Sequence, residues 1–197
     1  NDTYDQNFMQ NTILPDSKFI KPHGEGTWEI ENEDFFTYFK KYIGEWKYGK
    51  LDGKGKMIFS DGDVYEGEWK DNELNGEGKM IYSNGDVYEG DWKNDYVHGK
   101  GKFTYANGNV YDGLWENSEY NGTGEFTYGD KYKYIGNFKD HEFNGYGELI
   151  YKNKNKGYYK GFWKNDLKHG FGENEYINGT IYKGEWKNGE RSGKGKL

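Results

Sequence analysis

Residues 65–87 read YEGEWKDNELNGEGKMIYSNGDV, and this stretch decides the fold because the chain repeats it. Aligned on the leading tyrosine, YIGEWKYGKLDGKGKMIFSDGDV precedes it from Tyr42, YEGDWKNDYVHGKGKFTYANGNV follows from Tyr88, and YDGLWENSEYNGTGEFTYGDKYK follows from Tyr111. A 25-residue unit begins at Tyr134, another of 23 at Tyr159, and a shortened one runs from Tyr182 to Leu197. Of the 31 glycines, 25 fall at four fixed places in this frame. A constant period of this length marks an array of supersecondary units.

Each unit reads as a β-hairpin. Its first strand is Y-x-G-x-W, a polar six-residue stretch follows, and its second strand is G-x-G-x-apolar-x-aromatic. Asp61-Gly62, Asn84-Gly85, Asn107-Gly108 and Asn178-Gly179 then supply the positive φ that a tight turn demands before the next unit. Strand side chains alternate between faces. Tyr65, Gly67, Trp69, Gly76, Gly78, Met80 and Tyr82 therefore share one face, and Glu66, Glu68, Glu77, Lys79 and Ile81 the other. A glycine inside a strand weakens it unless a ring lies on the vacated space. One face is thus predicted to seat rings on glycines, and the other to be mostly charged.

Composition excludes the alternatives. Phe, Trp and Tyr total 39 of 197 residues, against one alanine, four valines and seven leucines. A helical bundle needs Ala and Leu in quantity, and a disordered chain has few aromatics. No apolar run approaches the ~20 residues of a membrane-spanning helix, and residues 1–22 lack a signal peptide's layout. With no cysteine there is no disulfide or thiolate metal site. Net charge is −7 and the only arginine is Arg191, which opposes nucleic-acid binding.

The spacing Y-x-G-x-W, with G-x-G starting seven residues after the tryptophan, recurs in register from Tyr42 to Leu197. It resembles the MORN (membrane occupation and recognition nexus) repeat family. The resemblance implies an all-β fold, an elongated single-layer antiparallel meander of MORN-repeat hairpins curved into a trough with the aromatics on the concave side. Units are expected at 42–64, 65–87, 88–110, 111–133, 134–158, 159–181 and, in part, 182–197. Upstream, His23–Trp28 looks like the second strand of a degenerate unit. Residues 23–41 are read as that half-repeat plus a capping insertion, because an open strand edge recruits other chains. Residues 1–22, broken at Pro15, read as a short helix near 5–14 or as an extended segment. Two departures stand out in the array. Phe138 replaces a tryptophan, and Leu167 stands one place earlier than Leu51, Leu74 and Val97 do in their units.

Catalytic chemistry leaves no signature here. His98 and His169 occupy the repeat place filled elsewhere by Asp52, Asn75, Asn121 and Asn144, which reads as a turn-former in a loop rather than a metal ligand. Gly53-Lys54-Gly55-Lys56 and Gly99-Lys100-Gly101-Lys102 lack the spacer and the following helix of a phosphate loop. The expectation is no enzyme, no cofactor and no metal.

Binding is where the sequence is informative, and three surfaces are candidates. The first is the trough: Tyr65, Trp69, Tyr88, Trp92, Tyr111, Trp115, Tyr159 and Trp163 line one face, where rings suit a peptide or an amphipathic helix. The competing reading makes these rings the core itself, with ring edges and tyrosine hydroxyls left for a partner. The second is the outer face, charged in early units but apolar at Leu114, Ile135, Tyr146, Phe162 and Phe171. The third is anionic lipid at Lys47, Lys70, Lys93, Lys139, Lys164 and Lys187, which recur just after the Trp or Phe. Asp71, Asp95, Asp140 and Asp166 sit nearby and offset them.

The reading is therefore a cytoplasmic, non-catalytic scaffold or adaptor for a protein partner. The resemblance links it to cytoskeleton or membrane organisation. Self-association into a homodimer through the C-terminal repeats and peripheral contact with anionic lipid are further expectations. The alternative is a phospholipid-binding or targeting module of a larger enzyme such as a phosphoinositide kinase.

Overall fold

The computed structural model describes residues 23–29, 39–152 and 157–197. The reading of residues 1–22 lies outside the described residues, as do positions 30–38 of the capping segment read at 23–41 and positions 153–156 of the 25-residue unit. Among the described residues there is no helix. Fifteen strands follow one another in chain order as an antiparallel meander. They are β1 (Gly24–Glu29), β2 (Phe39–Lys47), β3 (Lys50–Phe59), β4 (Val64–Lys70), β5 (Glu73–Ile81), β6 (Val87–Lys93) and β7 (Tyr96–Thr104). Then come β8 (Val110–Glu116), β9 (Glu119–Tyr128), β10 (Tyr132–Lys139), β11 (Glu142–Tyr151), β12 (Tyr158–Lys164), β13 (Leu167–Glu175), β14 (Ile181–Lys187) and β15 (Glu190–Lys196). By internal contacts the chain forms two compact units. The described part of Asn1–Ser83 with Asp91–Tyr96 makes the first, and Asn84–Gly90 with Val97–Leu197 the second.

In the first unit, glycines face one another across strand after strand: Gly26↔Gly44, Gly44↔Gly55, Gly55↔Gly67 and Gly67↔Gly78. The rings of Tyr42 and Tyr65 lie on this row. A Cβ on Gly55 would collide with the Tyr42 ring, and one on Gly78 with the Tyr65 ring. The missing side chains are thus the seats of the rings. Each tyrosine meets a tryptophan edge-on from both sides: Tyr42 lies 5.2 Å from Trp46 and 5.7 Å from Trp69, and Tyr65 5.2 Å from Trp69 and 5.5 Å from Trp92. Such pairs add about 0.5–1.5 kcal/mol each beyond their burial. β1 joins in the same register, Gly24 opposite Trp46 as Gly53 is opposite Trp69.

The second unit repeats the plan over more strands. Its glycine row runs Gly101↔Gly113, Gly113↔Gly124, Gly124↔Gly136, Gly136↔Gly147, Gly147↔Gly161, Gly161↔Gly172, Gly172↔Gly184 and Gly184↔Gly195. Phe138 takes the tryptophan's place at 5.1 Å from both Tyr111 and Tyr134. Indole N–H groups of Trp115, Trp163 and Trp186 donate to the carbonyls of Gly101, Gly147 and Gly172. Phenylalanine has no such donor.

A bulge recurs within the hairpins, between Gly67 and Trp69 and again between Gly113 and Trp115. It turns the intervening residue out of the ladder. The leading tyrosine satisfies the carbonyl left there. Tyr42, Tyr65, Tyr111, Tyr134, Tyr159 and Tyr182 donate their hydroxyls to the carbonyls of Glu45, Glu68, Leu114, Asn137, Phe162 and Glu185.

The polar six-residue stretch inside each unit is not a loop. It is a two-residue turn followed directly by strand: Asp71 and Asn72 both have positive φ, and β5 starts at Glu73. Asn117-Ser118, Asp140-His141 and Asn165-Asp166 behave alike, the geometry of a type I′ hairpin. The Asp-Gly and Asn-Gly turns are the longer ones, closed by Gly62 N–H to the Phe59 carbonyl and Gly108 N–H to the Tyr105 carbonyl.

The turn residues also lock consecutive hairpins. Asn72 donates its N–H to the Leu51 carbonyl and accepts the Leu51 N–H on Oδ1, and Asp95 does the same to Leu74. In the second unit Ser118, His141 and Asp166 grip Val97, Tyr120 and Phe143 in this way. At Gly189 only the backbone half of the grip remains, its N–H donating to the Lys168 carbonyl.

Candidate partner-binding surfaces

Tyr65, Tyr88, Tyr111 and Tyr159 are wholly buried, and Trp69, Trp92, Trp115 and Trp163 nearly so. Those rings are the core of the sheet, and among the described residues no second layer packs on them. The expectation that tyrosine hydroxyls remain for a partner is corrected for Tyr65, Tyr111 and Tyr159, because each is spent on the bulge carbonyl. Burial accordingly raises these phenols, the Tyr42 hydroxyl to about 12.

A partner approaching the ring face meets instead the residue nine places after each tyrosine, which caps the tyrosine ring. In the first unit this residue is Leu51 or Leu74, both buried. In the second, Tyr120 stacks on Tyr111 and Phe143 on Tyr134, each at 3.7 Å. The Lys168 ammonium then lies 4.7 Å from the Tyr159 ring centre and 4.8 Å from that of Trp186, and the Arg191 guanidinium 5.4 Å from that of Tyr182. Lys168 also donates to Oδ1 of Asn174, a buried amide where the neighbouring units have Phe126 and Leu149. Burial lowers the Lys168 ammonium below the usual lysine range. Register explains the early Leu167: Trp163 pairs with Lys168, so lysine takes the core slot and Leu167 stays exposed.

The outer face presents a second surface. Tyr146, Phe162 and Phe171 are 47%, 48% and 61% exposed, and the Tyr146 and Phe162 rings meet edge-on at 5.4 Å. Phe162 rests on Gly170, the residue before Phe171. At the repeat place of Phe162 other units carry Glu45, Glu68 and Glu185. Glu45 turns back there to accept the Lys54 N–H. Of the other two candidates on this face, Leu114 rests on Gly122, and Ile135 stands between Glu125 and Glu148 on the adjacent strands. Beside the aromatic row runs a charged one, in which Lys160 pairs with Glu148 at 3.7 Å and Lys183 with Glu173 at 2.8 Å. Tyr158 donates to Glu173, which drives its hydroxyl up to about 12.

Lys47, Lys70, Lys93, Lys139, Lys164 and Lys187 all end strands and are exposed. Across the turn Lys70, Lys139 and Lys187 face Glu73, Glu142 and Glu190. Among the described residues no group of three or more His, Asp or Glu side chains is arranged to hold a metal. His98 and His169 lie in strands, not loops, each directly before a glycine, and the His169 Nδ1 is buried without a hydrogen-bond partner among the described residues.

A sheet built by one hairpin copied in register, with each copy's ring seated on glycines, defines a β-hairpin repeat protein. The MORN repeat matches residues 42–64, 65–87, 88–110, 111–131, 134–156, 159–181 and 182–197, and the chain belongs to the MORN repeat family. No curated protein matches the sequence. Among solved structures the chain is similar to the SAS-4 (dCPAP) TCP domain of Drosophila melanogaster, solved in complex with a proline-rich motif of Ana2 (dSTIL). The identity is 14% and the TM-score 0.43, over 69% of this chain and 74% of that one.

Proposed function

We propose that the chain is a non-catalytic scaffold that docks a protein partner on the aromatic patch of Tyr146, Phe162 and Phe171. One observation carries this reading: three large rings stand in solvent, two of them in mutual contact, on a face whose equivalent positions in the other units are charged or polar, Leu114 excepted. Aromatics are enriched at binding hot spots, and an apolar centre with a polar rim is the usual anatomy of a protein interface. The rim here is the Glu148–Lys160 and Glu173–Lys183 ladder, two acids against two bases. Its neutrality favours an apolar protein segment over an anionic membrane. Three of the six strand-end lysines face glutamates, which weighs against lipid there as well. A cytoplasmic place at the cytoskeleton or a membrane junction is part of this proposal and rests on family resemblance.

The test is a photo-crosslinking residue at position 171, with position 194 as control, because Lys194 holds the same repeat place. In the native cell, position 171 is expected to yield a protein adduct and position 194 none. Equal yields, or adducts to lipid alone, would overturn the reading. A second copy of this chain as the adduct would replace scaffolding by self-association.

A further inference from the structure

We propose that the ring face of the last two units receives an acidic peptide segment, with Lys168 and Arg191 each taking one carboxylate. This site lies on the face opposite the Phe162 patch and stands independently of it. The residues capping the leading tyrosine are apolar in the first five units, Leu51, Leu74, Val97, Tyr120 and Phe143, and cationic in the last two. Nothing in the fold requires a cation there, since five of seven units do without one.

The surroundings leave the charges unanswered. Lys168 has three N–H donors. Asn174 takes one and two rings lie beneath, but among the described residues no carboxylate lies within ion-pair distance of Lys168 or Arg191. Burial that lowers the lysine's proton affinity is a cost that an arriving carboxylate would relieve. Asn174, where a buried Leu149 stands one unit earlier, holds the ammonium in place.

Geometry sets the ligand's class. The cations occupy equivalent places on β13 and β15, two strands apart, opposite Trp163 and Trp186 respectively. At ~4.8 Å per strand they stand roughly 10 Å apart. An extended peptide advances ~3.3 Å per residue, so carboxylates three residues apart match that distance. Two single, separated cations set among rings suit such a peptide better than a phosphate headgroup, which calls for several convergent donors.

The probe is a pair of eight-residue peptides with an apolar background, one bearing two glutamates three residues apart and its twin two glutamines. Binding is read by titration calorimetry and by tryptophan emission, since Lys168 lies against the Trp186 ring. The glutamate peptide is expected to bind at least about tenfold more tightly than its twin. Lys168→Leu with Arg191→Leu is expected to abolish the difference, and Lys168→Arg to keep it. Phe162→Glu with Phe171→Glu is expected to leave it intact, which separates this site from the outer patch. Equal binding of the two peptides, no binding of the glutamate peptide, full binding by the double-leucine variant, or binding of phosphoinositide vesicles in place of the peptide would overturn the proposal.

Discussion

The ammonium of Lys168 lies 4.7 Å from the centre of the Tyr159 ring, in the slot where Phe143 stacks on Tyr134 at 3.7 Å one unit earlier. Residues with opposite solvation needs thus fill one repeat place. The buried tyrosine beneath them is constant, so the fold is carried by the seated rings and the capping layer is free to vary with function.

A stability prediction follows from that slot. Lys168→Leu together with Asn174→Leu exchanges a desolvated cation and its buried amide for the residues that Leu51 and Leu149 supply elsewhere. Urea melts are expected to show a gain of about 1 kcal/mol, and Lys168→Met with Asn174→Leu, which keeps the length of the lysine, is expected to gain similarly. A loss in both variants would mean that the cation is structural.

Glycines of the row and glycines of the turns are expected to respond differently to alanine. A Cβ on Gly147 would collide with the Tyr134 ring, whereas at Gly179 it meets nothing within 4 Å and suffers only from φ of +80°. Gly147→Ala is expected to cost about 3 kcal/mol and Gly179→Ala about 1 kcal/mol in chemical denaturation. Similar costs at both would contradict the seating of the ring.

Tyr111→Phe removes the hydroxyl that satisfies the Leu114 carbonyl at 2.7 Å. A loss of about 1–2 kcal/mol is expected with peptide and partner binding unchanged, measured by denaturation and calorimetry side by side. A binding defect at intact stability would return the hydroxyl to a recognition role.

The legible part of this protein was the part that repeats. Y-x-G-x-W and G-x-G announced the hairpins, the two faces and the ring-on-glycine pairing, because identical residues at a fixed period report a shared environment. Asp61-Gly62 and Asn107-Gly108 announced their turns through positive φ. What stayed hidden depended on register. No pattern signals the bulge between Gly67 and Trp69, and without it the second strand seemed to begin at Gly76 rather than Glu73. Leu167 stands one place early in its unit, and only the pairing of Trp163 with Lys168 shows that lysine takes the slot. Phe162 and Phe171 were visible from sequence as exceptions to a charged face.

Two titrating turn residues predict opposite pH responses. Burial raises the Asp95 carboxyl from 3.8 to about 6 in the folded chain. A raised folded value means that the folded state holds the proton more tightly, so this contribution is full below about 4 and is lost as pH rises through about 6. Asp95→Asn keeps the acceptor for the Leu74 N–H and is expected to gain about 1 kcal/mol at pH 7, after discounting for partial exposure. Thermal melts at pH 4 and pH 7 check it. A gain at pH 4 equal to that at pH 7 would contradict the assignment.

His141 behaves the other way. Burial lowers its imidazole below 6.5, so its contribution is present above that value and is lost as pH falls through the lower, folded value. Protonated Nδ1 can no longer accept the Tyr120 N–H. His141→Asn, which restores the acceptor found at Asn72, is expected to flatten the acid limb of the stability profile. An unchanged limb would place the acid sensitivity elsewhere.

The proposed function places the partner on the exposed aromatics of the outer face, not on the buried ring row. Its most direct measurement compares wild type with Phe162→Glu plus Phe171→Glu for melting temperature and for recovery of the protein crosslinked at position 146 in the native cell. The melting temperature is expected to stay within about 2 °C of wild type while recovery falls about tenfold or more. Undiminished recovery at unchanged melting temperature would contradict it.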